Sequence, residues 1–558
     1  MKMKRKSGLP DGNYIDVLNQ LVDKRYGELN PRSYKIKGLE EVAEEIKNAV
    51  ANDRYIIIIG DYDADGISGT SECCKIITYL GGKPHFKIPR RIADGYGLNP
   101  HMIDDIPEGA LIITVDNGIV AFDAISKAKA KNCKVVVIDH HLPSADGRLP
   151  DADIIIDPVA VPGQCEYTKY CGAGLVYKLA EVIVSDRDLL DEINAIAAIA
   201  TIADCVDLDG ENHVICQSLP DTWRNKGLDS LAQAFGIWKA DEHDAGFKFG
   251  PAFNAAERMG DDRAKYVVEL LTSEDDNRIR ELTEMIVGWN AERKALCEVK
   301  TQEAIDYIDA NMADNNPICY IADVPEGIVG IIAGRITEKY QVPAFCFARK
   351  GVDESGRMIL KGSARTAGDN HVKNILDSCS DLLLKYGGHA AAAGLSLYED
   401  NLEEFQKKAS TFCKPVPKTD TVEYEISLKP VYVGKQIAEC LEILDRITPF
   451  GQGNPQFAFK VSGVRLYPQG GKLYRQMGSQ GQYIKFFGRD FDILAFDGLY
   501  DIESPDDLED KMSIVGYLSM NVFNGKETPQ IEAVYIEKDA RDFVKPNPFA
   551  ARAAEKRA

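Results

Sequence analysis

The 558-residue chain is 45% hydrophobic and 27% charged, an ordinary balance for a globular protein and too long for a single core. Its 66 basic residues stand against 87 acidic ones, and a formal charge of −21 argues against a protein that coats duplex DNA by bulk attraction. Thirteen cysteines without CxxC pairs read as reduced thiols, and no apolar run approaches the roughly 18 residues of a membrane span, so a cytoplasmic protein with no membrane association is expected.

Residues 1 to about 50 read as amphipathic helix, for instance Leu39 to Val50. From Tyr55 to about Asp157 short aliphatic strands alternate with helices, the pattern of a doubly wound α/β domain with a parallel sheet. Helices are predicted over Leu175 to Ser185 and over Asp191 to Ala203. The second is rich in Ala and Ile and ends in Asp204, a costly place for a carboxylate unless it serves a metal. Ser273 to about Ala310 is the longest helical pattern, with Ile279, Leu282, Ile286 and Trp289 at helix spacing, and reads as a rigid connector. A second α/β unit follows, with strands at Ile318–Ile321 and Ala344–Phe347 and a helix from Gly330 to Tyr340. After Lys414-Pro415-Val416-Pro417 the character turns to β. Val422, Tyr424, Ile426 and Leu428 alternate, Asn524-Gly525 sits in a hairpin position, and a small Greek-key barrel of the OB type is expected. Arg465, Lys472, Tyr474, Arg475, Lys485, Phe486 and Arg489 interleave basic and aromatic side chains there, suited to a single strand, although alternate residues must face the core. The tail from Arg541 is basic.

Three strands of the first domain run straight into acidic motifs. Ile56–Ile59 leads to Asp61-Tyr62-Asp63-Ala64-Asp65-Gly66, Leu111–Val115 to Asp116-Asn117-Gly118, and Val135–Ile138 to Asp139-His140-His141. Ligands of open parallel sheets bind outside the carboxyl ends of the strands, so five aspartates and two histidines converge where ligands bind. Such crowding keeps its charge only with cations present, and two divalent ions roughly 3.5–4 Å apart form a clamp for attack at phosphorus. Carboxylates select Mg²⁺ or Mn²⁺, and imidazole tilts the choice toward Mn²⁺. A calcium loop beginning at Asp61 would place Glu72 at its twelfth position, but the preceding element reads as a strand rather than a helix.

These motifs, with Ala203-Asp204, resemble the successive motifs of the DHH phosphoesterase family. Ile88-Pro89-Arg90-Arg91 and Gly95-Tyr96-Gly97-Leu98 resemble the stretch that RecJ exonucleases place after the first motif. Gly387-Gly388-His389 with Ala393-Gly394 resembles the phosphate-binding loop of the companion DHHA1 domain, Ser363-Ala364-Arg365 a substrate-binding strand, and Pro449–Pro455 the entry to the RecJ barrel. The resemblance implies a 5′→3′ exonuclease that degrades single-stranded DNA to mononucleotides by two-metal hydrolysis, in DNA repair and recombination. It implies metal ligation by Asp61, Asp63, Asp65, Asp116, Asp139, His140 and Asp204, with Asp139 either orienting His140 or binding directly. Catalysis would rest on Asp116, His140, His141 and Asp204, with His141 facing the phosphate or the leaving group. Substrate contacts would come from Arg91, Arg258, Ser363, Arg365, Gly387, Gly388 and His389.

The domains expected are residues 1–272 (N-terminal helical segment with the DHH domain), 273–311 (connector), 312–413 (DHHA1-like), 420–540 (OB-like) and 541–558 (basic tail). Single-stranded DNA is the expected partner, the family adds a single-strand-binding protein or a helicase, and a monomer is expected. Two departures stand out. Gly250–Arg258 matches the family's Gly-Pro-Arg-x-Asn-Ala-Ala-Gly-Arg except that Ala252 replaces an arginine and Glu257 a glycine, and the usual Trp-His pair is missing near Pro325–Gly330. A small-substrate phosphodiesterase, for short oligonucleotides or cyclic dinucleotides, would not need residues 420–540. A non-catalytic replication scaffold would not need the full ligand set.

Overall fold

The isoleucine run Ile56–Ile59 forms a fully buried strand in the computed structural model, which describes residues 2–10, 12–95, 97–217, 219, 223–416, 421–478, 483–496, 511–523 and 526–538. It lies between Pro84–Lys87 and Leu111–Val115, and Lys134–Ile138 and Ile154–Ile156 complete a five-stranded, all-parallel sheet. Successive strand residues face opposite sides. Ile56, Ile58, Ile113 and Val136 join one core with helices Leu39–Ala51, Ala64–Tyr79 and Gly172–Ile183. Ile57, Ile59, Ile112 and Val137 join another with helix Phe122–Ala130. Burial on both faces is why these strands read as continuous apolar runs. The doubly wound reading therefore holds.

The chain leaves Ile56–Ile59 on one side, for Pro84–Lys87, and returns on the other, for Leu111–Val115. That reversal opens a crevice at the carboxyl ends of two adjacent strands. Helix Arg187–Ala203 is capped by Asp186, whose side chain accepts from Asp188 N and Leu189 N, and ends at Asp204.

The connector is the 36-residue helix Asp276–Asn311, about 54 Å long at 1.5 Å per residue. Asp275 caps it, two residues beyond the expected Ser273. A second five-stranded sheet follows, in the order Lys385–Gly388, Ala392–Tyr398, Met358–Arg365, Ala344–Val352 and Ile318–Ile321. Only its last pair is parallel. Helix Val329–Tyr340 packs on it through Ile332, Ala333 and Ile336.

Two compact units result, one of Pro31–Pro417 with Gly451–Gly453, the other of Met1–Asn30, Lys418–Phe450 and Asn454–Ala558. This corrects the expected 1–272 domain at its start. Strand Lys2–Arg5 pairs in parallel with Thr421–Tyr424, and helix Tyr14–Leu29 buries Val17, Leu18 and Val22 in one core with Ile437, Cys440 and Leu444. Amphipathicity announces that a helix has a buried face but not what covers it.

The alternation from Val422 to Leu428 is also not one strand. It breaks at Glu425, whose buried carboxylate accepts from Ala458 N at 2.8 Å and pairs with Lys6. Thr421–Tyr424 belongs to the two-stranded sheet, whereas Ile426–Leu428 opens a seven-stranded one. That sheet continues through Phe459–Val464, Met512–Phe523, Lys526–Lys538, Asp492–Ala495, Tyr483–Phe487 and Tyr474–Met477. This is the β-rich unit expected of an OB-like domain; among the described residues its two end strands do not pair with each other. Both edges are short, which limits the unpaired backbone groups they present. Asn524-Gly525 and the tail from Arg541 lie outside the described residues.

Of the interleaved basic and aromatic positions, Phe486 is core and Lys485 pairs with Asp492 at 2.6 Å, while Arg465, Lys472, Arg475 and Arg489 are exposed. Among the described residues no helix is long and apolar enough to cross a membrane. Leu18→Ala should destabilise the unit that joins the two chain ends by about 2–5 kcal/mol. Its denaturation midpoint should fall while metal affinity at the parallel sheet stays unchanged; an unaltered midpoint would contradict the shared core.

Candidate metal centre

Each acidic motif sits where a strand gives way to a turn. After Ile56–Ile59, Asp61 is buried and accepts from Gly97 N at 3.4 Å. Asp63 caps helix Ala64–Tyr79, accepting from Asp65 N and Gly66 N at 3.1 Å. Asp65, in the first turn of that helix, reaches across to the start of another: its oxygens accept from Gly172 N at 2.7 Å and Ala173 N at 2.8 Å. A helix N-terminus is a natural anion site, which offsets part of the penalty for burying this carboxylate.

Asp116 follows Leu111–Val115 with φ +60°, a left-handed conformation that aspartate tolerates better than most residues. A Cβ at Gly172 would lie 2.8 Å from Asp116 Cβ and 3.0 Å from its Cα, so only glycine lets this helix start approach so closely.

The two histidines complete the group. His140 Nε2 lies 3.1 Å from Asp116 Oδ1, 3.6 Å from Asp65 Oδ2 and 3.8 Å from Asp204 Oδ2. Asp139 holds His141, not His140: Asp139 Oδ1 is 2.7 Å from His141 Nδ1 and 3.3 Å from His141 N, while Oδ2 accepts from Ile119 N at 2.9 Å. The only bond from Asp139 to His140 is with its backbone N, at 2.8 Å. Asp139 was expected to orient His140 or to ligate directly; its carboxylate here holds the His141 ring and spans to the turn after Leu111–Val115 through Ile119 N, and makes no bond to the His140 ring.

In this crevice three trios each bring ligand atoms within 4.8 Å of one another: Asp61, Asp63 and Asp116; Asp65, His140 and Asp204; Asp116, His140 and His141. Asp116 and His140 each belong to two trios. Carboxylate oxygens with imidazole nitrogens fit hard divalent cations such as Mg²⁺ and Mn²⁺. Glu72 plays no part in these trios. It is fully buried on helix Ala64–Tyr79 with neither oxygen hydrogen-bonded, and burial with the nearby charge of Asp65 pushes its pKa well up.

Burial and mutual repulsion raise Asp61, Asp116 and Asp204 well above the usual carboxylate range. Burial lowers His140, against the pull of Asp65. His141 moves the other way: burial opposes its charge, but the hydrogen bond and charge of Asp139 outweigh it and bring the ring to about 9.

Beside the acidic group lies a cationic one. The Arg91 guanidinium sits 5.2 Å over the Tyr62 ring, and its buried Nε has no hydrogen-bond partner. Arg258 ends helix Gly250–Arg258 and donates to Gly327 O at 2.9 Å. Arg365 donates to Ser363 Oγ at 2.8 Å. A Cβ at Gly330 would lie 2.9 Å from Arg365 Nη2 and 3.1 Å from Ser363 Oγ, so this pair is placed against the first turn of Val329–Tyr340.

Burial and the repulsion of Arg91, Arg293 and Arg365 lower Arg258 to about 10, against the pull of Asp63. Guanidinium groups gathered in this way suit an anion. Arg293, on the connector helix, was not anticipated; one charge in a 36-residue helix carries no sequence signal. Gly387 and Gly388 end the exposed strand Lys385–Gly388 and His389 follows it, and the sheet register aligns Gly387 with Gly394 and Gly394 with Ser363, a row leading to the Ser363–Arg365 pair. Ala252 is fully buried in the core, so an arginine there would have no room in this packing.

Comparison with known proteins agrees with this geometry. Residues 55–206 match the family model described as DHH family, N-terminal domain, residues 315–414 the DHHA1 domain and residues 429–535 the RecJ OB domain. The single-stranded-DNA-specific exonuclease RecJ of Salmonella typhimurium is 31% identical over 76% of this chain and 78% of its own. RecJ of Bacillus subtilis is 31% identical over 89% of this chain, which spans 63% of that longer relative. The crystal structure of Thermus thermophilus RecJ in complex with Mn²⁺ superposes with a TM-score of 0.76 at 26% identity, covering 94% of this chain and 77% of that one.

Raised carboxylate pKa values favour the metal-free fold most below the unfolded-state value of about 4, and that advantage is lost as pH rises through the raised values. Cations replace the protons. The increase in melting temperature that Mn²⁺ produces over chelated protein should therefore widen as pH rises above the usual carboxylate range; an increment flat with pH would contradict the crowding.

Proposed function

The chain belongs to the RecJ family, and on that premise we propose that it is a metal-dependent exonuclease that removes mononucleotides from the 5′ end of single-stranded DNA, in DNA repair and recombination. The observation that carries this reading is the pairing of ligand trios sharing Asp116 with the group of Arg91, Arg258 and Arg365 beside them. Asp61, Asp63, Asp65, Asp116, His140 and Asp204 would hold two Mn²⁺ or Mg²⁺ ions. Such ions supply charge that lowers the pKa of water and stabilises oxygens at phosphorus. The arginines with Ser363 bind and orient phosphate, and the open Gly387–Gly394 row lets the backbone approach.

His141, charged near neutral pH and steadied at Nδ1 by Asp139, faces the departing oxygen as a cation. Exposed Arg465, Lys472, Arg475 and Arg489 of the C-terminal unit suit the trailing strand. A net charge of −21 gives weak bulk capture of DNA, so recruitment through a single-strand-binding protein or a helicase would raise the rate.

With Mn²⁺ and end-labelled single strands, mononucleotides should appear from the 5′ end while blunt duplex stays largely intact. Asp116→Ala should abolish turnover with the fold retained. Turnover of dinucleotides with long strands left uncut would favour a small-substrate phosphodiesterase instead. Asp139→Asn removes the charge that raises His141, so the alkaline limb of the kcat–pH profile should move to lower pH. An unmoved limb would exclude His141 as the titrating group.

A further inference from the structure

The glutamate that departs from the family pattern has a specific set of partners. Glu257 is 2% exposed, in the last turn of helix Gly250–Arg258. Its Oε1 accepts from Arg91 N at 2.9 Å and Asp262 N at 3.3 Å. Its Oε2 accepts from Arg263 N at 3.1 Å and Ala264 N at 3.2 Å. The second pair opens helix Ala264–Thr272, whose own N-cap residue Arg263 supplies no side-chain bond. Glu257 thus caps that helix from outside and ties it to a distant loop.

The same loop is held one step further along. Asp261 accepts from Ile92 N at 2.9 Å and from Ala93 N at 3.1 Å. Three successive backbone donors, at Arg91, Ile92 and Ala93, are therefore fixed by two carboxylates that flank Met259-Gly260. Helix capping accounts for the bonds to Arg263 and Ala264 but not for the bond to Arg91. What the Arg91 bond adds is direction: the guanidinium is delivered over Tyr62, beside Arg258, with a buried N–H unpartnered. A glycine at this position offers no acceptor, and of the two carboxylates only Asp261 would remain on residues 91–93.

We propose that Glu257 is a positioning residue that anchors the Arg91 loop so that Arg91 meets a phosphate of the bound strand, an inference that rests on the function proposed above. Glu257→Ala should raise KM for 5′-phosphorylated single strands about ten-fold with kcat within about two-fold, the scale of one misplaced charge-assisted contact. Glu257→Gln, which retains one acceptor oxygen, should fall between wild type and Glu257→Ala and serves as the variant of record should Glu257→Ala fold poorly. In an Arg91→Ala background neither change should raise KM further, because the group being positioned is gone. Amide exchange over residues 91–93 should quicken in both single variants.

A KM effect that adds in full to that of Arg91→Ala, or an unchanged KM in folded variants, would assign Glu257 to helix capping alone and overturn the inference. Wild-type protein that leaves single strands uncut would defeat the functional reading instead. Exchange at residues 91–93 and the affinity for a 5′-phosphorylated dinucleotide would then still decide whether Glu257 places Arg91.

Discussion

Repulsion among buried carboxylates governs this protein. Asp61, Asp65 and Asp116 are almost wholly buried within one crevice, and Asp63 and Asp204 face the same space. Nothing in the apolar sheet beneath them relieves that charge. Relief comes from outside the sheet: the N-terminal amides of Gly172–Ile183 on Asp65, the His140 ring on Asp116, and cations when bound. The left-handed turn at Asp116 and the glycine at 172 are the geometric conditions of that relief.

The crevice is asymmetric in charge. Carboxylates crowd at the ends of the parallel strands, while Arg91, Arg258 and Arg365 arrive from a loop, a helix end and the second sheet. Each half raises the cost of its own charge and lowers that of the other, as the pull of Asp63 on Arg258 shows. The crevice therefore offers guanidinium donors on one side and carboxylate oxygens on the other. Helices, strand ends and the turns that follow them supply the other groups; Arg91 comes from a loop in which three backbone donors are held by acidic side chains.

The parts that could be read from residues alone were those in which local pattern and tertiary role coincide. Ile56–Ile59, Leu111–Val115 and Val135–Ile138 are apolar throughout because both faces are covered, so their strand identity and the position of their acidic ends followed directly. Tyr14–Leu29 was legible as a helix but not as part of the C-terminal core, since its partners lie some 400 residues further on and leave no local mark. The alternation through Glu425 misled for a related reason: a buried carboxylate satisfied by Ala458 N and Lys6 splits one apparent strand between two sheets.

By itself the sequence determined most element types (Lys2–Arg5, read as helix, is a strand), the order of the acidic motifs, the kind of ion they suit and the family resemblance, because composition and periodicity act within a few residues. Tertiary structure alone decided which imidazole Asp139 holds, that Ala252 is core, that Arg293 joins the cationic group and that Glu257 reaches the Arg91 loop. Those outcomes depend on side-chain direction and on contacts between elements far apart in the chain, and neither is written in spacing.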